Sequence, residues 1–192
     1  MGSIKVGVDP RLPALQTQPG FWERFRGRLW DVLRDLSIAV NEHIHVVRQK
    51  SYAPTTLTVT AGTLAAGTVA DLAAPGGTTV NVSEVAATPG FNVEVVFSNV
   101  ANPLEFSLIG YYAGDPAHVV TVDAWNYTTS AWDNYGTMAS TSAAEFKAFS
   151  FVRGADYVSA GAAKFRFYHV TAGVGTHDLY LDYCAILSLE TV

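Results

Sequence analysis

The chain has 192 residues, 49% hydrophobic and only 15% charged, with a formal net charge of -5. That length holds one well-buried domain plus an extension, and the composition excludes a disordered chain. The first fifty residues carry eight Lys/Arg against five Asp/Glu and the remainder four against twelve, so the acidic bulk argues against nucleic-acid binding while the basic end suits an acidic docking partner.

No run approaches the ~18 apolar residues of a membrane span, and Met1 to Gly20 has no apolar core of the kind a secretory signal needs. The chain is therefore expected to be soluble, without membrane insertion, and used without cleavage. Cys184 is the sole cysteine and lies in the apolar run Leu179 to Leu189, where a thiol reads as an inert buried filler.

Residues 1–20 hold Pro10, Pro13 and Pro19 without a sustained period, and read as an extended arm that orders against a partner. Over residues 21–50 the pattern changes. Trp22, Phe25, Leu29, Val32, Leu36, Ala39 and Val46 recur at steps of three and four, with His43 as the one polar residue of the seam. A second row, Trp30, Leu33, Val40, Ile44 and Val47, widens the stripe. The spacing predicts a long amphipathic helix that buries two faces, either in a bundle of three or more copies or between a partner helix and the sandwich; the alternative is that it simply packs on its own β domain. His43 reads as a register-setting polar residue, the alternative being a metal or anion held on a symmetry axis by His43 copies.

Pro54 ends that pattern, and residues 55–192 read as one antiparallel β-sandwich. Strands are predicted at 56–60, 68–72, 79–85, 91–99, 104–112, 118–125, 132–138, 146–152, 163–169 and 178–187, with turns such as Pro75-Gly76-Gly77 and Thr88-Pro89-Gly90 between them. Alternation is clean in two of them. Phe91, Val93, Val95 and Phe97 oppose Asn92, Glu94 and Ser98, and Phe165, Phe167 and His169 oppose Lys164, Arg166 and Tyr168.

The sequence carries no G-x-S-x-G elbow, P-loop, dinucleotide-binding glycine pattern, H-E-x-x-H or zinc-type cysteine pair, so neither catalytic residues nor a cofactor are expected. His118, His169 and His177 lie in the sandwich. Asp115, Asp123, Asp178 and Asp182 offer oxygen ligands, but without EF-hand-like spacing, so no metal is expected either. Trp125-Asn126-Tyr127 and Trp132-Asp133-Asn134-Tyr135 place four aromatics and two amides close together. Trp125 and Trp132 read first as a cross-strand pair that anchors a hairpin; the alternative is that Trp125, Tyr127, Trp132 and Tyr135 on one exposed face stack against sugar rings, with Asn126 and Asn134 donating to hydroxyls.

The runs from Glu84 to Asn99, Ile109 to Tyr112, Ala117 to Val122, Trp125 to Asp133, Tyr168-His169 and His177 to Tyr183 resemble β-sandwich domains of bacteriophage virion proteins, over about residues 80–187. The resemblance implies a jelly-roll-like module on the exterior of a tailed-phage particle, commonly trimeric, serving as a fibre, head decoration or adaptor, and non-enzymatic. The arm and helix would then contact other virion proteins. A carbohydrate-binding sandwich that attaches to host glycans is the alternative, and the two are compatible. A membrane-surface role for the basic helix ranks last, because Glu23, Asp31, Asp35 and Glu42 interrupt its polar face.

Overall fold

The structure, a computed structural model, describes residues 29, 31–33, 47–151 and 154–191, with the backbone alone described at Val47, Arg48, Glu190 and Thr191. The chain divides into Met1–Val46 and Val47–Val192. Within the second unit the strands are β1 (Val47–Tyr52), β2 (Pro54–Ala61), β3 (Thr63–Ala66), β4 (Val80–Ser83), β5 (Phe91–Phe97), β6 (Pro103–Ala113), β7 (Val120–Asn126), β8 (Ala131–Met138), β9 (Glu145–Ser150), β10 (Ala163–His169) and β11 (Asp178–Thr191).

They form two antiparallel sheets. One runs β2-β5-β10-β7-β8; the other runs β3-β4-β11-β6-β9, with β1 added on β11. The quartets β4-β11-β6-β9 and β5-β10-β7-β8 have the strand order of a jelly roll, with each connection from β4 to β7 passing between sheets.

Period-two burial builds the core. β5 and β10 each alternate buried and half-buried residues along their whole length, so Phe91, Val93, Val95, Phe97, Phe165 and Phe167 all point inward. From the opposite sheet Phe106 stacks on Phe165, with centroids 3.9 Å apart, while Phe97 meets both rings edge-on at 6.0 and 6.1 Å. These rings join the sheets because offset stacking and edge contacts add to the burial of apolar area.

The expected long helix is corrected here. Residues 47–50 are strand, and the described residues contain no long helix: α-helical backbone occurs at Leu29 and at residues 31–33, and two short 3-10 turns occur at Val69–Leu72 and Gly154–Tyr157. β4 pairs only with Asp178 to Leu181, which leaves the same edge of β11 open further along; β1 fills it, in register from Val47↔Thr191 to Tyr52↔Ile186. Backbone groups paired to β11, with Tyr52 buried in the core, outweigh the helical period that Val46 and Val47 carried. Leu29, Val32 and Leu33 are exposed. Trp22, Phe25, Leu36, Ala39, His43 and Val46 of the predicted seam lie outside the described residues, as does the arm.

The predicted strand at 68–72 is also replaced, by a 3-10 turn at Val69–Leu72. Asp71 accepts from the Thr68 backbone N–H at 2.7 Å and from its hydroxyl at 2.8 Å, a local cap that competes with strand pairing.

Replacing Phe106 by Ala removes the ring that stacks on Phe165 and is expected to cost about 3–5 kcal/mol in denaturant unfolding, with the fold retained by circular dichroism. Burial pushes the Cys184 thiol far above its ordinary value, so a thiol reagent at neutral pH is expected to label it only after unfolding.

Candidate functional site

Because Phe165 and Phe167 point inward, Lys164, Arg166 and Tyr168 line the outer face of the five-stranded sheet. Neighbouring strands extend that face in register. Arg166 pairs with Glu94 on one side and Asp123 on the other, Glu94 with Thr58, and Asp123 with Asn134. The next row is Asn92, Tyr168, Thr121 and Thr137, and Trp125 pairs with Trp132 at the face's far end.

Asp123 organises the centre. Its carboxylate accepts from Arg166 Nε at 2.8 Å, Asn134 Nδ2 at 2.9 Å and Thr121 Oγ1 at 3.2 Å. So held, the Arg166 guanidinium lies over the rings of Trp132 and Tyr168, at 4.6 and 4.2 Å from their centroids. Lys164 Nζ sits 4.7 Å from the Trp125 centroid, and the two tryptophans meet edge-on at 5.3 Å. Trp132, Arg166 and Tyr168 thus make a ladder of planar groups with charged and amide side chains beside it.

Of the other predicted aromatics, Tyr135 does not join this face. Tyr135 packs inward with Phe151 and Tyr157, at 5.4 and 5.3 Å, and burial raises its phenol well above the ordinary value. Tyr127 lies in the β7–β8 turn, where its backbone N–H donates to Asp156 O at 2.8 Å. Asn126 is buried: its Oδ1 accepts from the Thr128 and Thr129 N–H groups, and its Nδ2 donates to Asp133 at 2.8 Å, so it builds the turn. Lys164, Arg166 and Tyr168 were visible in the sequence as the outward half of an alternating strand, yet nothing local linked them to the tryptophans.

A second constellation lies at the other end of the sandwich, where β4, β6 and β10 finish and β5, β7 and β11 begin. Glu84, just past β4, is buried. Its carboxylate accepts from Tyr112 Oη at 2.6 Å and from the Val174 N–H at 2.7 Å. Nδ1 atoms of His169, His177 and His118 lie 2.8, 3.2 and 3.8 Å from it. The contact with His169 has the length of a hydrogen bond but not the direction, since a proton on that Nδ1 reaches no partner. Burial lowers the His169 pKa, Glu84 pulls it up, and His118 and His177 push it down. Burial, then the bond to Glu84, raises the Tyr112 phenol far above its ordinary value and keeps it a donor.

No protein-family model matches this sequence, and no curated protein matches it. Among solved structures the chain is similar in fold to a carbohydrate-binding module of family 29, with a TM-score of 0.51 at 7% identity over 73% of this chain and 90% of that one. A point mutant of a family 29 module gives 0.51 at 7% identity, over 73% and 93%. At that identity the likeness is one of fold.

Glu84→Ala leaves the Tyr112 hydroxyl and the Val174 N–H without their acceptor, and is expected to cost about 1–3 kcal/mol for each in denaturant unfolding. A loss below that range for the two together shows that the carboxylate is not needed to hold the end of the sandwich.

Proposed function

We propose that the outer face of the five-stranded sheet binds a polysaccharide chain and that the protein is a non-catalytic binding domain. The observation that carries this reading is the ladder of Trp132, Arg166 and Tyr168, with Trp125 at its end, on an open sheet face. A pyranose presents an apolar C–H face and a rim of hydroxyls. Planar aromatic groups take the first, while Glu94, Asn92, Asn134 and the guanidinium take the second. Arg166 is held from below by Asp123, so a hydroxyl meets a donor whose ordering cost is already met by the fold.

Two solved structures that share the fold bear the name carbohydrate-binding module, which supports the reading. The resemblance of residues 80–187 to phage virion domains supports a setting for the same face: the exterior of a particle, turned toward glycans of a host surface. Detection of the chain in purified particles by mass spectrometry and antibody labelling checks that setting.

Binding is measured by tryptophan fluorescence and affinity electrophoresis against a panel of neutral and acidic polysaccharides. At least one polysaccharide is expected to quench the fluorescence saturably. Trp132→Ala and Arg166→Ala are each expected to weaken that binding about tenfold or more, equivalent to about 1.4 kcal/mol. Tyr135→Phe keeps the inward ring and is expected to leave affinity unchanged. Absence of binding across the panel, or equal binding by Trp132→Ala, overturns the assignment.

A further inference from the structure

The Glu84 cluster crowds several atoms able to offer a lone pair. Both carboxylate oxygens, the Tyr112 oxygen and the Nδ1 atoms of His118, His169 and His177 converge on one volume. Glu84, His118 and His169 each place a ligand atom within 4.8 Å of the others. The Tyr112 hydroxyl and the Val174 N–H each engage one lone pair of the carboxylate, which leaves the oxygens further acceptor capacity.

His169 identifies what that capacity faces. Its side chain is fully buried, and Nδ1 has no hydrogen-bond partner. A proton on Nδ1 would be a buried orphan, whereas Nε2 lies 2.8 Å from Thr171 Oγ1. The neutral tautomer with its proton on Nε2, donated to Thr171, leaves a bare Nδ1 lone pair facing the cluster 2.8 Å from Glu84 Oε1. In that tautomer the two lone pairs repel, and a cation bound by both relieves the repulsion.

We propose that Glu84, His118 and His169 bind one divalent transition metal ion of the zinc class, with His177, beside the carboxylate, closing the fourth position. Three imidazole nitrogens and one carboxylate form a donor set suited to such an ion; calcium and magnesium select oxygen donors. Ligand atoms about 2.05 Å from a tetrahedral zinc stand about 3.3 Å apart. His169 Nδ1 stands 2.8 Å from Glu84 Oε1, and His177 and His118 Nδ1 stand 3.2 and 3.8 Å from Oε2, close to that spacing.

The surroundings have the features a metal site needs. Tyr112 and Val174 orient the carboxylate, and Thr171 fixes the His169 tautomer. The side chains of His118 and His177 are 21% and 18% exposed, against 0% for Glu84 and His169, so the rim pair opens to solvent and gives the ion an entry path. Close packing confines the cluster: a Cβ on Gly173 would come within 2.6 Å of Glu84 Cβ, and one on Gly90 would collide with His169 Nδ1. With a donor past β4, one before β7, one ending β10 and one before β11, the ion would tie both sheets together at this end. This role is independent of the polysaccharide face.

The test uses the full-length untagged chain, stripped with a chelator and then titrated with zinc alone by calorimetry, with metal content read by mass spectrometry. One zinc per chain is expected, with a rise in Tm. His118→Ala is expected to weaken binding at least tenfold, and His118→Ala combined with His177→Ala to abolish uptake. Both replaced rings lie at the rim, and circular dichroism checks that the variants fold; should the double variant fail to fold, the single variant's affinity decides. Cobalt in place of zinc is expected to give visible absorption of tetrahedral intensity that the His118→Ala variant lacks. An intact chain that takes up no zinc, or a His118→Ala variant that binds it as tightly, overturns the proposal.

Discussion

In β10 the pleat ties the core to the candidate face. Water drives Phe165 and Phe167 against Phe106 and Phe97, and a strand period of two then turns Lys164, Arg166 and Tyr168 to the other side. The outer ladder cannot be slipped relative to the core without exposing phenylalanines and burying charges. Its geometry is thus maintained by apolar burial on the opposite face, which outweighs the cation–π contacts between the ladder's own members.

The two polar constellations solve the burial of charge in different ways. Asp123 is buried but meets a guanidinium, an amide and a hydroxyl, so its charge is neutralised and hydrogen-bonded within the sheet surface. Glu84 is buried deeper and meets a phenol, a backbone N–H and a ring of imidazoles, the innermost of which burial holds toward neutrality. The first arrangement stiffens a surface. The second gathers donor atoms from both sheets around a single point, at the end of the sandwich away from the tryptophans.

Much of the sandwich was legible in the residues. Nine of the ten predicted strand segments overlap observed strands, because alternation in runs such as 91–97 and 163–169 records which side of a sheet meets water. Segment 68–72 misled because Thr68 and Asp71 form a cap, and a short apolar stretch does not reveal that competition. Residues 47–50 misled for a longer-range reason. Val47 fits the helical period of the residues before it, and the strand state comes from the unfilled edge of β11, which lies at the far end of the chain. The tryptophan pair was legible as cross-strand neighbours, but the bulge between Val122 and Asp123 that accompanies the inward turn of Tyr135 was not.

By itself, then, the sequence determined the β class, the inward and outward halves of the strands, the burial of Cys184 and the Trp125–Trp132 hairpin, since each follows from neighbours a few residues apart. Only the tertiary structure decided that Arg166 and Tyr168 lie beside Trp132, and that Glu84, Tyr112, His118, His169 and His177 share one point. Strand order in a jelly roll places distant segments side by side, and no local period encodes which ends will meet.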